Sequence, residues 1–247
     1  MKKILIGCLI LITACQPAAD APTPVAPLFP TATLPPTLIP ATVTPQLSPT
    51  LELTPTPLPR LFTNEFESSL AGWVILQAGN DAVPNIKTEQ SNLILRMDSP
   101  HTWLYVLYGA QDYTAVRIDT QFVNRAGSPS SIGLICRYSE LDGWFEYNVS
   151  TDGTYNVLYG HWLANGIADY LPIQSASSKT IGPSGTPQEI GLNCSDTTLE
   201  LYIDQQLIRK VDVSRYELLE GKIGITASSF ENTPVIAAFD WVKVSEQ

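Results

Sequence analysis

Basic residues are scarce in this chain. Its 247 residues include 14 Lys and Arg against 24 Asp and Glu, with two His, for a net charge of −10. An acidic chain is repelled by nucleic-acid phosphates and by anionic lipid headgroups. The composition therefore argues against nucleic acid as a partner and leaves neutral glycans, peptides and divalent cations open.

Recognisable catalytic motifs are also missing. His101 and His161 lie 60 residues apart, with no Cys or acidic cluster at the spacing of zinc ligands. The sequence contains no Gly-x-Ser-x-Gly elbow, phosphate-binding loop or dinucleotide fingerprint. It thus offers no site for the common zinc, acyl-transfer or nucleotide chemistries.

Glycine is absent from residues 16–60, where proline is abundant. This segment holds 13 of the 20 prolines and nine threonines. Proline removes a backbone donor and disfavours helix in the residue before it, so the repeated Thr-Pro and Leu-Pro steps exclude a helix. Pro-rich chains favour extended polyproline II, and Ser/Thr with Pro permits O-glycosylation. We interpret residues 15–60 as a semi-rigid tether.

The first 14 residues have the pattern of a secretory signal peptide. Lys2 and Lys3 precede the apolar run 4–12, which is shorter than the roughly 20 residues that span a bilayer. Ile12-Thr13-Ala14-Cys15 resembles the lipobox of bacterial lipoproteins, which implies cleavage before Cys15 and lipid attachment to its thiol. A plain signal peptide with a chance cysteine, or an uncleaved membrane helix, is the alternative. We predict an extracytoplasmic protein anchored to the cell membrane or cell surface through Cys15.

Residues 61–247 have the pattern of an all-β domain. Val116, Ile118 and Phe122 alternate with polar residues, as in an antiparallel strand with one buried face. Similar short runs recur between turn residues, at a spacing typical of a sandwich or barrel. The only helical segment that we expect is a single turn near residues 214–219. We predict a two-sheet antiparallel β-sandwich.

The cysteines indicate a disulfide in this domain. Of the four, Cys8 leaves with the signal peptide and Cys15 is the lipid site, so Cys136 and Cys194 remain. Strand parity places both thiols on the core side. In an exported protein such a pair is expected to oxidise, which stabilises by about 4 kcal/mol in the chain-entropy model. Two buried free thiols are the alternative.

Short motifs follow one another through the domain in a recognisable order. They are Asn64-Glu65-Phe66-Glu67 with Gly72-Trp73, Gly133-Leu134-Ile135-Cys136-Arg137-Tyr138, Gly143-Trp144-Phe145-Glu146-Tyr147, Ser150-Thr151-Asp152-Gly153, Leu199–Asp204, Gly221-Lys222-Ile223-Gly224-Ile225 and Ala238-Phe239-Asp240-Trp241-Val242. This order resembles the concanavalin A-like (laminin G-like) jelly rolls of bacterial surface lipoproteins, related to the 3-keto-disaccharide hydrolase family. The resemblance implies a jelly-roll fold and, in many members, carbohydrate recognition. The usual Leu-Tyr-Val-Asn-Gly hairpin appears here as Leu201-Tyr202-Ile203-Asp204-Gln205, which leaves its tight turn in question.

The resemblance also bears on catalysis and on metal binding. Laminarinase-type hydrolases of this fold carry a Glu-x-Asp-x-x-Glu strand, because retaining hydrolysis needs two close carboxylates; this chain lacks that pattern. In similar carbohydrate-binding modules, an acid on the first strand and one on the last hold a structural calcium. Glu67 and Asp240 occupy comparable places, and oxygen ligands suit calcium. Alternatively, Asp240 bonds a backbone group or pairs with an Arg.

The stretch from residue 137 to residue 170 is the richest in aromatic and polar side chains, with eight of the 22 aromatic residues. Exposed aromatic rings stack on sugars, and a few fixed polar groups bind sugar hydroxyls. We predict a ligand site formed by Arg137, Trp144, Glu146, Asn148 and Trp162, with both Trp rings exposed. Because aromatic residues are favoured in strands anyway, core and cross-strand packing is the alternative.

Three functions are consistent with these features. The leading hypothesis is a non-catalytic binding module for a neutral glycan, displayed at the cell surface. The second is a structural or protein-interaction module on a stalk, and the third is a sugar hydrolase or lyase whose acids are not assigned. An exposed Trp on a polar sheet favours the first, a featureless sheet the second, and two carboxylates in one cleft the third.

Overall fold

A computed structural model describes residues 57–67 and 70–247. The predicted signal peptide, Cys15 and the tether up to residue 56 lie outside the described residues. In the part of the chain that is described, no helix is long and apolar enough to cross a membrane.

The described chain is built from strands, as predicted, with a single 3-10 turn at Ser214–Tyr216. The strands are β1 (Phe62–Asn64), β2 (Trp73–Gly79), β3 (Asn85–Glu89), β4 (Asn92–Met97), β5 (Thr102–Tyr113), β6 (Val116–Asn124), β7 (Ser131–Ser139), β8 (Gly143–Ser150), β9 (Thr154–Ala164), β10 (Ile167–Ser177), β11 (Gln188–Cys194), β12 (Thr198–Ile203), β13 (Gln206–Asp212), β14 (Gly221–Ser229) and β15 (Val235–Ser245).

These strands form two antiparallel sheets. The eight-stranded sheet has the order β13-β12-β11-β6-β15-β4-β3, with β1 also paired to β15. The seven-stranded sheet has the order β10-β9-β8-β7-β14-β5-β2. Strands distant in sequence are therefore neighbours, as in a jelly roll, and the predicted all-β sandwich is confirmed.

The main core lies between the sheets and follows the period-two pattern of the sequence. Val116, Ile118 and Phe122 of β6 face it, and so do Phe145 and Tyr147 of β8. Arg117 and Asp119, which alternate with the β6 core residues, form an ion pair at 2.8 Å on the other face of that sheet. Burial of one face per strand thus sets the register of both sheets.

The predicted disulfide joins the two sheets. Cys136 on β7 and Cys194 on β11 are both fully buried, and their sulfurs are bonded. The bond closes a loop of 58 residues between a strand of each sheet. The parity argument that placed both thiols in the core is confirmed.

The hairpin whose turn was in question is present. Asp204 and Gln205 connect β12 to β13, and both adopt positive φ angles of 46° and 63°. Such a two-residue turn with positive φ at both positions matches the twist of the flanking strands. The departure from Asn-Gly therefore leaves the tight turn intact.

The last residues of the predicted tether already contact the sandwich. The Tyr108 hydroxyl donates to the Pro59 carbonyl at 2.7 Å, and the Tyr113 hydroxyl donates to the Arg60 carbonyl at 2.6 Å. The Arg60 guanidinium lies 4.8 Å from the centre of the Tyr113 ring. Residues 59 and 60, at the end of the predicted tether, thus pack against the β-sandwich.

Candidate functional site

The face of the seven-stranded sheet that is turned away from the main core is concave. Its two edge strands are β10 and β2, yet the Gly79 amide of β2 donates to the carbonyl of Gly166, at the tip of the β9–β10 hairpin, at 3.0 Å. Opposite edges can meet only if the sheet curls around this face. The face is filled by a second, smaller cluster of buried apolar residues, separate from the main core.

Trp144 lies at the centre of this second cluster and is fully buried. Its ring centroid is 5.4 Å from that of Tyr138, 5.3 Å from that of Trp162 and 6.0 Å from that of Tyr170. A side chain at Gly160 would place its Cβ 2.4 Å from the indole, so the glycine makes room for it. The predicted exposure of Trp144 is therefore wrong, because β10, distant in sequence, curls over this face.

Glu146 lies beside Trp144 with its side chain buried. Its carboxyl oxygens accept hydrogen bonds from Trp144 Nε1 at 3.1 Å and from Asn148 Nδ2 at 2.8 Å. Burial raises the pKa of the Glu146 carboxyl above its ordinary value, and hydrogen bonds from Asn148, Trp144 and Tyr170 oppose the shift in part. The Tyr170 hydroxyl is also hydrogen-bonded to the Tyr105 hydroxyl of β5, on the far side of the concave face.

Asn148 lies two residues after Glu146 on β8, on the same face of the sheet. It is buried, and its Oδ1 has no hydrogen-bond partner. A side chain at Gly133 on the neighbouring strand would place its Cβ 2.3 Å from Asn148 Oδ1, so the glycine leaves room for this oxygen. The predicted group Trp144, Glu146 and Asn148 does share one face, but that face is covered in this structure.

The guanidinium of Arg137 does not lie on the concave face with the other predicted ligand residues, and its role in ligand binding stays a prediction. Its φ of 55° marks a β-bulge that turns the side chain away from the strand alternation. The guanidinium donates to the backbone carbonyls of four residues: Thr114, Ser195, Asp196 and Leu218. Arg137 thus ties three loops together through both terminal nitrogens of its guanidinium.

Trp162 is the predicted ligand residue that remains accessible. It is partly buried and its Nε1 donates to the Tyr138 hydroxyl at 2.9 Å. Both residues line an open cleft of about 490 Å³ between β2 and the β9–β10 hairpin. The other lining residues are Ile75, Leu76, Gln77, Glu140, Leu141, Leu163, Ala164 and Asn165, which include no Lys or Arg.

A second cleft opens on the other side of the hairpin tip. It has a volume of about 320 Å³ and is lined by Trp103, Tyr170, Asp169 and Ile167 among others. The two clefts thus flank the Gly79–Gly166 hydrogen bond. Trp162 lines the first cleft and Tyr170 the second, and the rings of both pack on the buried Trp144.

The two residues proposed to bind calcium are both exposed. Glu67 follows β1, and Asp240 lies in a β-bulge of β15 between Phe239 and Trp241. Within residues 57–67 and 70–247, no group of three or more His, Cys, Asp or Glu side chains is arranged to hold a metal ion. Calcium at Glu67 and Asp240 stays a prediction.

Buried acids are few in the described part of the chain. They are Asp119 and Glu146, and they lie on different sheets. Glycoside hydrolysis commonly uses two carboxyl groups flanking the scissile bond, about 5–9.5 Å apart. The described residues thus present a single buried carboxyl on the concave face.

Sequence reasoning missed Tyr105, Tyr138 and Tyr170, which enclose the floor of Trp144 and Glu146. Their signal was weak, because each is an aromatic residue in a strand and such residues are common there.

The sequence matches no protein-family model and no curated protein sequence. Solved structures do match the fold. A β-glucanase from Bacillus licheniformis superposes with a TM-score of 0.54 at 13% identity, over 76% of this chain and 98% of that one. The carbohydrate-binding module CBM66 from Bacillus subtilis gives 0.52 at 14%, over 71% and 96%. A prokaryotic β-1,3-1,4-glucanase (lichenase) derived from a mouse hindgut metagenome gives 0.53 at 11%, over 75% and 99%.

These structural similarities establish the fold of the domain. The domain has the jelly-roll β-sandwich fold, as the order of sequence motifs predicted. Structures of this fold include both glucanases and a carbohydrate-binding module, so the fold is shared by catalytic and non-catalytic proteins.

Proposed function

We propose that this chain is a surface lipoprotein, anchored at Cys15, whose jelly roll binds a neutral carbohydrate without cleaving it. The observation that carries the proposal is the cleft beside Trp162. It combines a partly exposed indole with a tyrosine hydroxyl and the polar side chains of Gln77, Glu140 and Asn165. Sugars are recognised by this combination, since their C–H faces stack on rings and their hydroxyls need a few fixed polar groups.

The charge of the cleft supports an uncharged ligand. Its lining contains Glu140 but no Lys or Arg. An acidic polysaccharide would find no cation to pair with, and residues 61–247 carry 22 acidic against 11 basic residues.

The test is a binding screen of the complete chain against neutral and acidic polysaccharides. We expect binding to a neutral glucan or fructan, and no binding to alginate or polygalacturonate. Trp162→Ala should weaken binding roughly five- to ten-fold by removing the stacking ring. Trp241→Ala is the matched control, because Trp241 is partly buried on the outer face of the other sheet and should leave binding unchanged.

A second candidate function is protein interaction, favoured by the apolar rim of the same cleft. Ile75 is 39% exposed, Leu163 64% and Leu141 93%. Clustered apolar side chains at a surface mark interaction sites. Silence of the folded chain toward every polysaccharide would exclude the carbohydrate proposal and favour this alternative, whereas release of shortened sugars would favour a hydrolase.

A further inference from the structure

The outer part of the β9–β10 hairpin is not paired with its neighbouring strand β8. Strand β8 pairs with β9 only from Tyr155 to Gly160. Strands β9 and β10 continue to pair with each other as far as Ala164 and Ile167. Residues 161–170, with their base at the Gly160–Tyr170 pair, therefore form a two-stranded ribbon. Such a ribbon is at best marginally stable without further contacts.

Few polar contacts fasten this ribbon to the opposite edge of the concave face. At its tip the Gly166 carbonyl accepts from the Gly79 amide at 3.0 Å. Midway, Trp162 Nε1 donates to the Tyr138 hydroxyl at 2.9 Å, and at the base the Tyr170 hydroxyl is hydrogen-bonded to the Tyr105 hydroxyl of β5. Register is irregular between Ile167 and Ala168, which weakens the ribbon's own pairing. Ring packing on Trp144 supplies most of the remaining contact.

Polar side chains lie on the concave face next to the base of the ribbon, on β8 opposite Leu158 and Asn156 of β9. Glu146 is buried there, and the neighbouring Asn148 Oδ1 has no hydrogen-bond partner. A buried acceptor without a partner is destabilising, and a ligand hydroxyl could satisfy it. Two clefts lie on either side of the ribbon, and Trp162 and Tyr170, whose rings pack on Trp144, each line one of them.

We propose that residues 161–170 are a lid that lifts about Gly160 and admits the ligand to the floor of Trp144 and Glu146, on which Trp162 and Tyr170 of the lid rest. The glycine suits this role, because the backbone there packs on the Trp144 indole with no side chain between them. The lid deepens the proposed carbohydrate site and rests on that function for the identity of the ligand. In the closed state the cleft beside Trp162 is the outer part of the same site.

Lid opening is measurable without any ligand, by native-state hydrogen exchange of the complete chain. The Gly79 amide is the reporter, because its acceptor is at the lid tip. We expect it to exchange on the order of a hundredfold faster than the Leu134 amide of the central strand β7, since local opening needs less free energy than unfolding. Equal exchange of Gly79 and Leu134 at all denaturant concentrations would overturn the lid.

Two tyrosine variants sharpen the test. Tyr138→Phe removes the acceptor of Trp162 Nε1 and keeps the ring, so Gly79 exchange should rise roughly five-fold. Tyr159→Phe is the matched control, because the Tyr159 hydroxyl donates to the Asp142 carbonyl below the base of the lid. Its Gly79 exchange should be unchanged. An equal increase in both variants would mean general loosening and would also refute the lid.

The outcomes separate the lid from the proposed function. Exchange involves no carbohydrate, so a rigid hairpin would refute the lid and leave binding at the Trp162 cleft standing. A mobile hairpin in a chain that binds no polysaccharide would keep the lid and refute the carbohydrate ligand.

Discussion

Glu146→Gln should remove a pH-dependent loss of stability from this domain. The Glu146 carboxyl is buried and its pKa is raised mainly by that burial. The native state therefore holds a proton that the unfolded chain releases at its ordinary pKa of 4.5. Glutamine has nearly the same shape and cannot ionise. Its amide can donate to Asn148 Oδ1, which has no partner, after a flip of the Asn148 amide.

The sign and size follow from proton linkage. A raised native pKa means that the stabilisation is complete below pH 4.5 and is lost as pH rises toward the native pKa. Within that window, the free energy of unfolding contributed by this group falls by about 1.4 kcal/mol per pH unit. Glu146→Gln should lack that slope. Its advantage over the wild type should therefore grow from pH 4.5 upward and then level off.

Urea unfolding at a series of pH values, with the disulfide intact, measures this difference. Subtracting the two curves cancels all other titrating groups. Glu200→Gln is the control with the opposite sign, because Lys210, Asn193 and Tyr202 hold the pKa of the Glu200 carboxyl at about 2. Its stabilisation is present at neutral pH and is lost as pH falls. Wild-type and Glu146→Gln curves that stay parallel at every pH above 4.5 would refute a buried carboxyl with a raised pKa.

Two further variants test the roles of Arg137 and Cys15. Arg137→Lys keeps the charge, but the lysine ammonium cannot reach the four backbone carbonyls that the planar guanidinium reaches. The free energy of unfolding, measured in urea, should therefore fall by about 2–3 kcal/mol. A loss under about 0.5 kcal/mol would contradict the role of Arg137 in tying the loops together. Cys15→Ser should move the chain from the membrane fraction to the soluble fraction and remove the acyl mass from its amino terminus, and a variant that stays in the membrane would contradict the lipid anchor.

Period-two alternation alone was enough to predict the sandwich and its core. The inward placement of Phe145, Cys136 and Cys194 followed from strand parity, because each strand must bury one face and a one-residue slip would reverse it. The disulfide followed in turn, since both thiols had to point into the same interior. The order of short motifs was enough to predict the jelly roll.

The outer face of the seven-stranded sheet could not be predicted in this way. Parity correctly grouped Trp144, Glu146 and Asn148 on one face, but it cannot tell whether a face is open or covered. That depends on Tyr170 and Gly166, more than 15 residues further along, and on the curl that joins Gly166 to Gly79. Curl accumulates from the twist of seven paired strands and is a property of the whole sheet.

The position of the Arg137 side chain also could not be predicted from the strand pattern. Alternation placed its side chain on the outer face, and a bulge with φ of 55° redirects it to the loops at the end of the sandwich. Local pattern thus determined which residues pair and which face each side chain takes in regular strands. Only tertiary structure decided what covers the floor and which donors are already occupied, because those contacts join residues that are far apart in the chain.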